Sequence, residues 1–112
     1  MKQRKSKTLA APSAQVPLAK TATATKDLRR RAGGWLKELR SRAGLSQVQL
    51  AERLGLKYYT FVSQVENGFG RVPIESMEAW AGALDVEPSA FARRLLSFYE
   101  PELHRVLFEV EK

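Results

Sequence analysis

Residues 45–68 read LSQVQLAERLGLKYYTFVSQVENG, and this stretch decides the architecture of the chain. Ser46 is followed three residues later by Gln49, the spacing of a capping box, in which each side chain bonds the other residue's backbone N–H. Leu45 and Leu50 flank the box at the two positions where apolar side chains pack as a staple. The pattern predicts a helix over residues 47–54, with Leu50, Ala51 and Leu54 facing inward and Gly55 closing it. A second helix is expected at about Tyr58–Glu66, because Tyr58, Phe61, Val62 and Val65 stand at i, i+3, i+4 and i+7. Asn67-Gly68 ends it. Its opposite face carries Tyr59, Thr60, Ser63, Gln64 and Asn67, all of them able to hydrogen-bond.

Working outward, Leu28, Ala32, Trp35, Leu36, Leu39 and Ala43 form one helical stripe upstream, ended by Gly44. Gly33-Gly34 interrupts that stripe at about 1 kcal/mol per glycine, so the firm part of this helix is expected only from Trp35. Downstream, Pro73 suits the first turn of a helix bearing Ile74, Met77, Trp80, Ala81 and Leu84. Pro88 opens another, bearing Phe91, Ala92, Leu95 and Phe98. Trp35, Trp80, Phe91 and Phe98 lie on these stripes and read as core. After Pro101 two periods compete: Leu103, Val106, Leu107 and Val110 fit a helix, whereas Val106, Phe108 and Val110 alternate as in a strand. The expected fold is all-α, a compact bundle of five to six short helices preceded by a disordered basic N-terminal arm. Its divisions are the arm at 1–26, the helical domain at 27–99 and a C-terminal extension at 100–112.

Charge is distributed unevenly along the 112 residues, whose formal net charge is +7. Residues 1–31 hold nine bases against Asp27 alone, while the chain from Val72 onward holds four bases and eight acids. A basic end of this kind suits a polyanion, nucleic acid being the commonest. For residues 1–25 a solubilising tail or a transit-type segment remains an alternative. The sequence has no Cys, so disulfides and thiolate metal sites are excluded. No apolar run approaches the ~20 residues of a membrane span, and Pro12 cuts off Leu9-Ala10-Ala11 before a secretory signal develops. A cytoplasmic protein is expected. No nucleophile–base pair, metal-ligand spacing or phosphate loop is present, His104 being the lone histidine, so no enzyme, no metal and no cofactor is expected.

Two short helices joined by a glycine-bearing turn, the second with a polar outer face, present a helix to the DNA major groove. Tyr59, Thr60, Ser63 and Gln64 are the candidates for base readout. Gln bonds adenine bidentately, Ser and Thr serve several bases, and an aromatic edge or Thr methyl meets the thymine methyl. Lys57 and Tyr58 are candidates for phosphate, although the periodicity fits Tyr58 to the core equally well.

The run Leu45-Ser46-Gln47-x-x-Leu50-Ala51-x-x-Leu54-Gly55-Leu56, followed by Val62-Ser63-x-Val65-Glu66-Asn67-Gly68, resembles the Cro/cI repressor-like (xenobiotic-response-element type) helix-turn-helix family. The likeness continues through Arg71-Val72-Pro73 and Ala81-x-x-Leu84-x-Val86-x-Pro88, covering roughly residues 35–98. It implies a transcriptional regulator of bacterial or phage type, acting at the nucleoid on double-stranded DNA. It also implies backbone contacts from Gln47, Asn67, Phe69 and Arg71, with Gln47 bracing a recognition-helix side chain, and a structural ion pair between Arg40 and Glu66. One departure stands out: the turn glycine lies one residue further from Glu66-Asn67-Gly68 than in the family pattern. A one-residue insertion around Lys57-Tyr58-Tyr59 restores Val62 and Val65 to the core and leaves Gln64 outside.

A protein-interaction role, as an antitoxin or adaptor, is the competing reading. The C-terminal segment supplies Leu95, Leu96, Phe98, Tyr99, Leu103, Leu107 and Phe108, more apolar residues than one bundle face needs. A homodimer, suited to a two-fold operator, or a protein partner on this segment are both open.

Overall fold

The computed structural model describes residues 18–110. Its helices are α1 (Leu18–Arg42), α2 (Gln47–Arg53), α3 (Thr60–Glu66), α4 (Met77–Ala83), α5 (Pro88–Tyr99) and α6 (Pro101–His104). A 3₁₀ turn at Ile74–Ser76 leads into α4, and a wider π turn at Arg105–Glu109 continues α6. No strand occurs among the described residues, so the C-terminal segment takes the helical of its two competing periods. The expectation of a disordered arm falls, for residues 1–17, outside the described residues. From Leu18 the chain is already helical, upstream of the boundary read at residue 27.

The core is one cluster. Ala32, Leu36 and Leu39 from α1 meet Leu50 and Ala51 from α2, Val62 and Val65 from α3, Trp80 and Ala81 from α4, and Phe91, Leu95 and Tyr99 from α5. Trp35 stacks on Phe91 with ring centroids 5.6 Å apart and meets Phe98 at 6.2 Å, which places these aromatics in packing between α1 and α5. The buried Tyr99 hydroxyl accepts the Val72 N–H at 3.2 Å, so the buried backbone leaving α3 is satisfied by α5. Burial pushes the Tyr99 phenol above its ordinary pKa, the Val72 N–H and Arg71 opposing this in part.

Four helices end with the same closure. Leu45, Leu56, Phe69 and Val86 donate their N–H to the carbonyls of Arg40, Ala51, Gln64 and Ala81, each five residues back, at 2.9–3.1 Å. This 6→1 bond requires a left-handed residue before the donor. Glycine fills that position at Gly44, Gly55 and Gly68 with φ of 74°, 73° and 84°, while Asp85 fills the fourth at φ 61°.

Three expectations are corrected. Gly33-Gly34 does not break α1, which runs through both residues. Gly33 is instead where α3 lies against α1, and a Cβ there would overlap the Glu66 carbonyl oxygen. The contact, absent from any local propensity, outweighs the helix cost of glycine. Ile74, placed on the α4 stripe, is 74% exposed, because the 3₁₀ turn after Pro73 rotates it out of register with Met77 and Trp80. Tyr58, fitted to the inner face of the third helix, lies outside it, since α3 begins only at Thr60.

Candidate nucleic-acid interface

The capping box fixes the start of α2: Ser46 Oγ accepts the Gln49 N–H at 3.0 Å, and the Ser46 N–H donates to Gln49 Oε1 at 2.8 Å. Leu45 and Leu50 beneath it are both buried. Between Arg53 and Thr60 lie six residues in which Gly55 turns the chain and Leu56 drops back toward the core. α3 starts only at Thr60. Consequently Val62 and Val65 are wholly buried while Gln64 stays exposed.

Glu66 is the hub that holds α3. It is 6% exposed, and Arg40 of α1 grips its carboxylate in a fork, Nε to Oε2 at 2.6 Å and Nη2 to Oε1 at 3.1 Å. Arg40 Nη1 also donates to the Leu45 carbonyl at 2.9 Å, and Gln47 Nε2 donates to Glu66 Oε1 at 3.0 Å. One carboxylate therefore ties the end of α1, the start of α2 and the end of α3. A bidentate, buried arrangement of this kind is geometrically demanding, so it fixes the angle at which α3 leaves α2.

The other side of α3 is open. Lys57, Tyr58, Tyr59, Thr60, Gln64, Asn67 and Phe69 are exposed, Tyr58 to 65% and Phe69 to 83%. Ser63 is half-buried, and Asn67 Nδ2 lies 3.4 Å from its hydroxyl. Lys57 Nζ sits 5.6 Å from the Tyr58 ring centroid. α3 has no side-chain N-cap bond, so no cap side chain engages the N–H groups of its first turn. A rigid scaffold thus carries a short helix whose exposed face offers amide, hydroxyl, phenol and ammonium groups.

A family model described as helix-turn-helix matches residues 36–91, half of the chain. The chain belongs to the Cro/cI-type helix-turn-helix family. In general terms it is a DNA-binding transcription regulator, from a family of regulatory rather than enzymatic domains. The search of curated proteins returned no match. No described helix is long and apolar enough to cross a membrane.

Within this helix-turn-helix protein the candidate residues divide into groups. Tyr59, Thr60, Ser63 and Gln64 gather with Lys57, Tyr58 and Asn67 around the open side of α3. Gln47 borders them from α2, its side-chain amide engaged by Glu66. Arg71 stands apart: its Nη1 lies 3.2 Å from Glu100 Oε2, and its guanidinium carbon is 4.5 Å from the Tyr99 ring centroid. Sequence reasoning missed the glycines that seat α3 on α1. Gly68 matches Gly33 from the other side, since a Cβ on Gly68 would lie 2.9 Å from the Arg30 Cα. The only signal in the sequence was a paired glycine inside a strong helical period, which marks close approach as readily as a break.

Proposed function

We propose that this protein is a sequence-specific regulator that sets α3 into the major groove of duplex DNA. The observation that carries the reading is the contrast across α3, buried Val62, Val65 and Glu66 on one side against exposed Tyr59, Thr60 and Gln64 on the other. In this reading Tyr59, Thr60, Ser63 and Gln64 face base edges, Gln64 supplying the bidentate amide. Gln47, Lys57, Tyr58, Asn67 and Phe69 take the flanking backbone. Arg71, which also meets Glu100 and the Tyr99 ring, adds a further backbone contact beyond the end of α3.

The regulator acts as a homodimer. Leu103, Val106, Leu107, Phe108 and Val110 are each between 43% and 53% exposed, an apolar strip on α6 and its π turn. A second copy covering this strip presents two recognition helices to a two-fold site. Selection of bound sequences from a random duplex library tests both statements. The reading predicts a two-fold motif with half-sites about one helical turn apart. Tight, salt-sensitive binding with no enriched motif contradicts it. Failure to bind duplex DNA, with a heterologous protein held on the apolar strip, favours the antitoxin or adaptor reading.

A further inference from the structure

We propose that the N-terminal half of α1 is a second DNA-contacting element, whose basic groove against the end of α3 takes the sugar-phosphate backbone flanking the base-read site. The inference rests on the regulator reading above and extends it to a surface outside the turn and recognition helix.

The groove encloses about 350 Å³ and is lined chiefly by Lys26, Arg29 and Arg30 of α1 and by Asn67, Gly68 and Phe69 after α3. Lys26, Arg29 and Arg30 stand at i, i+3 and i+4, so one helical face carries all three. No carboxylate lines the groove. Asp27, one residue along, meets Arg30 only at 3.6 Å, with both side chains more than half exposed. A surface pair of that kind is weak and leaves the Arg30 charge available to another anion.

Three features suit the groove to a nucleic-acid backbone. Its cations match phosphate, and the Asn67 amide adds a neutral donor. Phe69, 83% exposed, gives an apolar face for deoxyribose without needing any particular base. The groove also opens directly off the residues that end α3, so a strand leaving the base-reading face reaches it next. Its placement is rigid, because the Arg30 backbone lies against Gly68 and Gly33 lies against Glu66. A phosphate held there is locked in register with the bases read by α3. Cations of this kind add affinity and salt dependence but read no sequence.

The test uses the full chain and the duplex recovered by selection, comparing wild type with the double variant Lys26→Gln/Arg30→Gln. Both side chains are exposed, and unchanged thermal melting verifies the fold. Binding is titrated across a range of salt. The expected result is about tenfold weaker binding near physiological salt, a salt slope reduced by about 1.8 (about 0.9 per lost phosphate contact) and an unchanged base preference. Trimming the duplex to the base-read positions removes the difference between the two proteins. Equal affinity and slope on the long duplex overturn the groove while leaving the regulator reading intact. An altered base preference overturns the backbone assignment. A wild-type chain that binds no duplex overturns the regulator reading and the groove with it.

Discussion

Gly33 lies directly against the main chain of Glu66, so close that a side chain on the glycine would overlap the Glu66 carbonyl oxygen. Its neighbour Gly34 faces open space, with nothing within 4 Å of where a Cβ would stand. Two adjacent glycines in one helix therefore serve opposite ends. The first seats α3, and the second only lowers helix stability.

Alanine substitutions separate them. Gly34→Ala is expected to stabilise the fold by up to about 1 kcal/mol, the helix propensity difference. Gly33→Ala gains the same term but forces backbone apart, for a net loss of about 2 kcal/mol. Chemical denaturation of both variants measures the pair. Equal effects would contradict the close approach of α1 and α3.

The Glu66 hub predicts non-additivity. Glu66→Ala leaves the Arg40 guanidinium buried without its partner and is expected to cost about 3 kcal/mol. Gln47→Ala removes one hydrogen bond to a charged acceptor, about 1.5 kcal/mol. Because Gln47 acts through Glu66, the double variant should cost scarcely more than Glu66→Ala alone. Simple addition of the two costs would show that Gln47 contributes elsewhere.

Much of this arrangement is legible in the sequence, and the illegible parts share a cause. The capping box at Ser46 and Gln49, the Leu45–Leu50 staple and the Gly55 closure are local, so eleven consecutive residues carry enough information to place them. The facing of α3 is also legible, because Val62 and Val65 need burial and Gln64 does not. The start of α3 is not, since Tyr58 fits the inner period and Tyr59, at the N-cap, makes no side-chain cap bond. Whether Tyr58 lies inside or outside depends on how far the turn from Gly55 carries the chain. Gly33 likewise reads as a breaker until α3 is laid across it, and the basic groove requires both α1 and the end of α3. Contacts between distant segments leave no local mark.

Acid sensitivity is expected at the start of α5. Glu87 caps this helix, its carboxylate accepting the Ser89 hydroxyl at 2.7 Å and the Ala90 and Ser89 N–H groups at 2.8 and 3.2 Å. The Ser89 hydroxyl foremost, then these N–H groups, hold the carboxyl below its ordinary value of 4.5. A depressed folded-state pKa gives stability that is complete above the unfolded value and lost as pH falls through the folded one. Melting temperatures of wild type and Glu87→Gln should therefore differ most near neutrality and converge as the pH falls below the ordinary value of 4.5 and through the lowered folded one. A gap that stays constant across this range would contradict the cap.

The exposed face of α3 is proposed to read bases, and Gln64 offers the sharpest test of that role. Sequence selection on a random duplex library, run in parallel with wild type and Gln64→Ala, measures it directly. The variant is expected to lose preference at one position in each half-site, by about 1–3 kcal/mol, while its salt slope stays unchanged. An identical selected motif from both proteins would contradict it.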